Sequence, residues 1–318
     1  MNKTDLLESF VDALSQKASR KAELISTVTD ILRIEKESVA RRMNGKVQFT
    51  IREMGILAKE LDISLDLLLN LQQDYIPISF KMNSPVSVSM EDFLCYMEEL
   101  VTVLTTKNED EIEIGSVVES LPVELYIDYP YLCKFVYFKW GHYFVGSSRF
   151  NYYSHWELPE RLNLIHNTVK RIFHRSKSIF YIWDRSLIWN LANDIKYFNH
   201  IHALTTEETE LIKQDLLDLL ADIEKLTENS LFIEKQMEFY VTNLNIGVSS
   251  SYYLCENDYV SMFKSFFIHS GILKDYETGH RVHQWINSLK KVSSLISGSG
   301  EKERKLFFKE QRMIVAGI

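Results

Sequence analysis

Cysteine and proline are scarce, and long apolar runs are missing. Cys95, Cys133 and Cys255 are three in number, widely spaced and without a CxxC pair. That pattern argues against a disulfide framework or a cysteine zinc site, and predicts buried, reduced thiols. No uninterrupted apolar stretch approaches the ~20 residues that a membrane span requires. The opening MNKTDLLESF lacks the apolar core of a signal peptide. These absences together predict a soluble, cytoplasmic protein without a membrane partner. A net charge of −8 argues against a chain coated with nucleic acid, and leaves room for one local basic patch. Catalytic and phosphate-loop signatures are absent too: there is no HExxH, GxSxG or GxxxxGK[ST]. The expectation is a protein that is not an enzyme and carries no cofactor.

What is present starts with 46% hydrophobic and 25% charged residues, an ordinary balance for a folded chain of 318 residues with room for two or three domains. Residues 1–71 read as five short helices. Leu6, Leu7, Phe10, Val11 and Leu14 repeat at helical spacing, as do Leu24, Val28, Ile31 and Leu32. Val39 and Met43 lie four apart and precede Asn44-Gly45, a helix stop. Thr50-Ile51-Arg52-Glu53 is a capping box opening a helix that carries Ile51, Met54, Leu57, Ala58 and Leu61. Ser64 is placed to cap a last helix over 65–71.

Residues 72–89 hold two of the five prolines and several serines with no helical period, and are read as a linker. Residues 90–318 read as a larger helical α+β body. Helices are expected from Met90 to about Thr106 and over 159–175, 185–198, 207–227, 277–296 and 301–315. The acidic stretch 108–113 reads as a surface loop. Strand-like runs at 178–183, 238–242, 251–255 and 262–268 predict a small antiparallel sheet. The fold class is therefore mainly α.

The N-terminal pattern resembles the Cro/C1-type helix-turn-helix regulators over residues 18–71. The residues that carry the likeness are Val28-Thr29, Leu32, Ile34 and Val39, then Asn44-Gly45, then Leu57-Ala58-x-x-Leu61-x-Ile63-Ser64. Two positions depart from the family. Arg33 replaces the usual turn glycine, which predicts a turn built without the left-handed conformation. Arg42 stands where an apolar residue is usual, and Met43 is expected to take over the packing. The resemblance implies a recognition helix over about 35–44 in the major groove of double-stranded DNA. It places Lys36, Glu37 and Arg41 at base edges and Ser38 at a base or phosphate; Arg42, by its own charge beside them, is expected on a phosphate. Lys46 and Gln48, just past the helix, are candidates for backbone contacts. Arginine can grip guanine bidentately and glutamate can accept from cytosine, so these residue types carry sequence information.

Charge supports the same reading independently. Between Lys17 and Arg52 there are nine basic residues against four acidic ones, a segment charge of +5 in a chain of −8. One end is thus suited to DNA on an otherwise repelling body. A single motif binds weakly, so a homodimer spanning two half-sites is expected. A protein-interaction adaptor with a helical head is the alternative.

Thirteen of 39 aromatics fall between Tyr126 and Trp156, and all five tryptophans lie beyond the linker. Such rings mostly fill cores or dimer interfaces. The alternative is a pocket for a small-molecule effector or a substrate, for which Tyr137, Trp140, Trp156 and Trp183 are the candidates. His280 and His283 lie three apart and His200 and His202 flank Ile201, but zinc needs three or four converging ligands, so no metal is assigned. Ser297-Gly298-Ser299-Gly300 reads as a hinge with Ser299 capping the next helix, because Glu301 would repel a phosphate.

Overall fold

The computed structural model describes residues 6–15, 17, 20–61, 63–68, 89–228, 231–232, 235–265, 269–274 and 276–318. The chain divides into two compact units, Met1–Pro77 and Ile78–Ile318. Residues 72–88 of the expected linker lie outside the described residues, and Ser89 caps the helix that follows.

In the first unit, α1 (Leu6–Ser15), α2 (Lys21–Leu32), α3 (Lys36–Met43), α4 (Ile51–Glu60) and the single turn α5 (Leu65–Leu68) surround one small core. Phe10, Leu14, Val28, Val39 and Leu57 are its fully buried members, and the Phe10 and Phe49 rings meet edge-on at 5.8 Å. These are the residues whose 3.6-residue spacing marks the helices in the sequence. The Thr50–Glu53 capping box forms in full, satisfying two of the N–H groups that α4 would otherwise leave bare.

The second unit contains α6 (Met90–Thr105), β1 (Glu113–Val118), α7 (Val123–Tyr126), α8 (Pro130–Phe144), α9 (Glu160–Arg175), β2 (Ser178–Asp184), α10 (Trp189–His200) and α11 (Thr206–Glu228). β3 (Leu231–Phe232), β4 (Lys235–Thr242), β5 (Ser249–Cys255), β6 (Asp258–Ser265) and β7 (His269–Leu273) follow, then α12 (Tyr276–Leu289), β8 (Ser294–Leu295) and α13 (Glu301–Ala316). The sheet has eight strands in the order β3-β4-β2-β1-β5-β6-β7, with β8 on β4. It is mixed, which corrects the small antiparallel sheet expected from sequence. β1, β2 and β4 are parallel, with Ile114 opposite Ile179 and Ile182 opposite Tyr240. Helices separate these strands in the chain, and a crossover of that length is what parallel pairing needs. β5, β6 and β7 then add an antiparallel meander beside β1. β1 and β2 are buried along nearly their whole length, as strands with both faces covered must be.

Three local expectations are also corrected. Residues 109–111 form a short 3-10 turn, and Glu109 is buried between Arg171 (3.0 Å) and Arg175 (3.3 Å) rather than on a surface loop. The helix expected over 277–296 stops at Leu289, and Ser294–Leu295 pair with β4. Gly300, not Ser299, is the N-cap of α13, and only glycine fits there, because a Cβ would sit 2.1 Å from the Leu295 carbonyl oxygen. Buried Arg304 braces that turn by donating to the carbonyls of Thr227, Ile296 and Gly298. Cys133 and Cys255 are buried free thiols as expected, but Cys95 is exposed. Among the described residues, no helix is long and apolar enough to cross a membrane.

Candidate nucleic-acid interface

Three residues, Arg33 to Glu35, join α2 to α3. Arg33 closes α2 in the left-handed region at φ 53°, ψ 45°, its N–H donating to the Thr29 carbonyl at 2.8 Å. The turn thus uses the left-handed conformation that the missing glycine was expected to forbid. A side chain there is strained by roughly 1–2 kcal/mol, which the rest of the unit must offset. The Thr29 hydroxyl nearby is buried with no hydrogen-bond partner among the described residues.

At the other end of α3, Gly45 at φ +69° makes a Schellman stop. Its N–H reaches the Arg42 carbonyl at 3.0 Å, and the Lys46 N–H reaches the Arg41 carbonyl at 2.9 Å. Lys21 donates to the Asn44 side-chain oxygen at 2.9 Å. The eight residues between these stops are pinned by Val39 and Met43, both buried.

With that stripe inside, helical geometry distributes the rest. At 100° per residue, Lys36, Glu37, Ala40, Arg41 and Asn44 fall within roughly 140° of arc. Lys36, Glu37 and Arg41 are exposed there, so α3 presents two cations and one carboxylate on one outward face. Glu35 caps the helix without a side-chain hydrogen bond. Ser38 and Arg42 lie on the opposite flank, both half-buried. Arg42, expected on a phosphate, is committed within the fold. Its guanidinium grips Glu53 through two contacts of 3.0 and 3.2 Å and donates to the Ser38 carbonyl at 3.2 Å. Burial pushes the Glu53 carboxyl up, but the Thr50 N–H and Arg42 together hold it below its ordinary value. The apolar position of the resemblance is thus filled by an ion pair that ties α3 to α4. Lys46 and Gln48 are exposed just beyond the helix, with Arg52 exposed on the first turn of α4.

Residues 3–102 match the family model of the BetR domain. The BetR-domain match takes in all five helices of the first unit and continues through 69–88 into α6, farther than the 71 residues that the sequence pattern marks. No curated protein and no solved structure matches the chain.

The aromatic candidates of the second unit divide. Tyr137 and Trp140 line a cavity of about 290 Å³. Trp156 and Trp183 do not: Trp156 packs on Phe150 at 5.4 Å, and Trp183 lies between Phe239 and Phe307 at 4.8 and 5.9 Å. The same cavity is lined by Glu119, Glu124 and Lys264, which sequence reasoning missed; their numbers are far apart and only the sheet unites them. His280 and His283 are occupied elsewhere. His280 pairs with the Tyr259 hydroxyl (3.3 Å) and Gln284 (2.8 Å), and His283 lies 3.5 Å from Glu113.

Proposed function

We propose that the chain is a sequence-specific DNA-binding regulator that reads base edges with the exposed face of α3. The observation that carries this reading is the convergence of Lys36, Glu37 and Arg41 on one face of a short helix, set by a three-residue turn against α2. A helix of this kind fits the major groove with its first turns toward the bases. The BetR-domain match over residues 3–102 supports a DNA-binding regulatory role for the same segment. So does the resemblance of residues 18–71 to Cro/C1-type regulators.

In this reading Lys36 and Arg41 address guanine or phosphate, and Glu37 accepts from cytosine or rejects a wrong base. Lys46, Gln48 and Arg52 hold the backbone, and Ser38 serves with Arg42 as support for the helix. Two copies acting on half-sites about one helical turn apart would supply the affinity that one motif lacks. The body then serves dimerisation, effector sensing or both, and we assign it no reaction.

A mobility-shift assay on genomic fragments, with competitor DNA at 50 and 200 mM salt, tests the proposal. Specific binding should survive the competitor and weaken by roughly a hundredfold across that salt range if about four phosphates are neutralised. Complexes that vanish with competitor, or that ignore salt, would refute it.

A further inference from the structure

The cavity in the second unit has a physical origin in the sheet. Ser116, Ser251 and Met262 stand side by side on β1, β5 and β6, and Ser249 stands opposite Lys264. Three small serines occupy places where bulky residues would otherwise fill the layer, so the space above them stays open. Tyr137 and Trp140 from α8 form one wall, and the segment Glu119–Glu124 between β1 and α8 forms another. The Trp140 indole N–H is buried with no acceptor among the described residues.

The charges on this lining do not balance. Two lysines, Lys139 and Lys264, face three carboxylates, Glu119, Glu124 and Asp194. Lys139 and Asp194 neutralise each other at 2.6 Å. Lys264 is left against two glutamates, one of which, Glu124, also accepts from the Tyr181 hydroxyl. Burial pushes both glutamate carboxyls up, with Lys264 opposing, and it pulls the Lys264 ammonium down, with Lys139 adding to the fall. With all five groups ionised, the lining carries three carboxylates against two ammoniums, one net negative charge.

We propose that this cavity binds a small organic monocation, a primary amine on an apolar body, with the ammonium at Glu119 and Glu124 and the body against Tyr137 and Trp140. An ammonium beside ring faces gains further attraction when desolvated. The volume of about 290 Å³ is at the small end for ligand pockets, which suits one ring or a short chain. A carboxylate ligand is disfavoured, because Lys264 shares its surroundings with the two glutamates. Binding of the amine stands on the cavity alone; its action as an effector rests on the DNA-binding reading above.

Calorimetric titration of the full chain with 2-phenylethylamine, 2-phenylethanol and 3-phenylpropionate tests the site without DNA. The amine should bind at least tenfold tighter than the alcohol or the acid. Glu119→Gln should weaken it tenfold or more, and because Glu119 is exposed that variant keeps its fold even if Glu124→Gln does not. Ser251→Leu, which fills the floor, should abolish binding while the tryptophan spectrum stays native. Equal affinity for the three probes, no affinity for any, or full affinity in Glu119→Gln would overturn the proposal. A mobility shift with and without the amine is run separately. Amine binding without DNA binding would sink only the regulator reading, and DNA binding without amine binding would sink only this one.

Discussion

The two units place the same residue types in opposite ways. In the first, Lys36, Glu37 and Arg41 stand outward on a helix held by only two buried side chains, Val39 and Met43. In the second, Glu119, Glu124 and Lys264 line a cavity beside Tyr137 and Trp140, with Glu124 half-buried and Glu119 and Lys264 still reached by solvent. An outward charge keeps its hydration and waits for a polyanion, whereas one on a cavity lining is partly desolvated and gains from a complementary charge brought by a ligand. Placement, rather than residue type, separates a macromolecular interface from a small-molecule site.

If each unit owns its core, damage to one should spare the other. Phe10→Ala removes a ring that is fully buried in the small core and should cost the first unit about 3–5 kcal/mol. All five tryptophans lie in the second unit, so their fluorescence transition on heating should not move. A shift of that transition by several degrees would show that the units melt as one.

The second unit should also carry its own acid sensitivity. His166 is buried, its Nε2 is 2.8 Å from the Tyr137 hydroxyl, and burial first, then Lys170, lowers its pKa to about 4. An unfolded histidine titrates near 6.5, so below that pH the unfolded state takes up a proton that the folded state refuses. Stability is therefore full above about 6.5 and falls toward pH 4, by roughly 3 kcal/mol over the window. Urea unfolding followed by tryptophan fluorescence should show this slope, and His166→Gln should flatten it. An unchanged slope in the variant would assign the effect elsewhere.

Neighbouring arginines give a sharper contrast within the first unit. Arg42→Ala strands Glu53 half-buried and should cost about 1–3 kcal/mol of stability. Arg41→Ala removes an exposed side chain and should change stability by less than about 0.5 kcal/mol. Circular-dichroism melts that rank the two the other way would overturn the division of α3 into an outer and an inner flank. The smallest effect concerns Arg33, whose left-handed backbone suits glycine. Arg33→Gly should raise the first unit's stability by roughly 1 kcal/mol, and a loss instead would mean that the arginine side chain contributes packing there.

How much of this could be read from the chain follows from the range of the interactions. α3 and α4 were legible because spacing and capping are local: Val39 to Met43, Asn44-Gly45, and Thr50 to Glu53 each lie within one or two turns. α8 was not, because Pro130–Phe144 carries apolar residues on every side and shows no stripe. β1 escaped notice because its pairing depends on partners about 65 and 140 residues away, Ser178 and Leu254 opposite Glu113. The same long range hid the cavity. Tyr137 and Trp140 stood out as aromatics, but nothing near Lys264 in sequence announces Glu119. Arg42 was misplaced for a subtler reason: its charge suggested phosphate, while its position on the wheel faces Glu53.

A base-substitution series on a selected binding site, measured with the native protein and with Arg41→Ala, is the most direct trial of α3 as the reading element. The native protein should lose about 1–3 kcal/mol for a wrong base at the position that Arg41 contacts, and the variant should lose that preference there while keeping it elsewhere. A variant that weakens equally on every sequence would show that Arg41 touches only phosphate, and a variant identical to native would remove α3 from the interface.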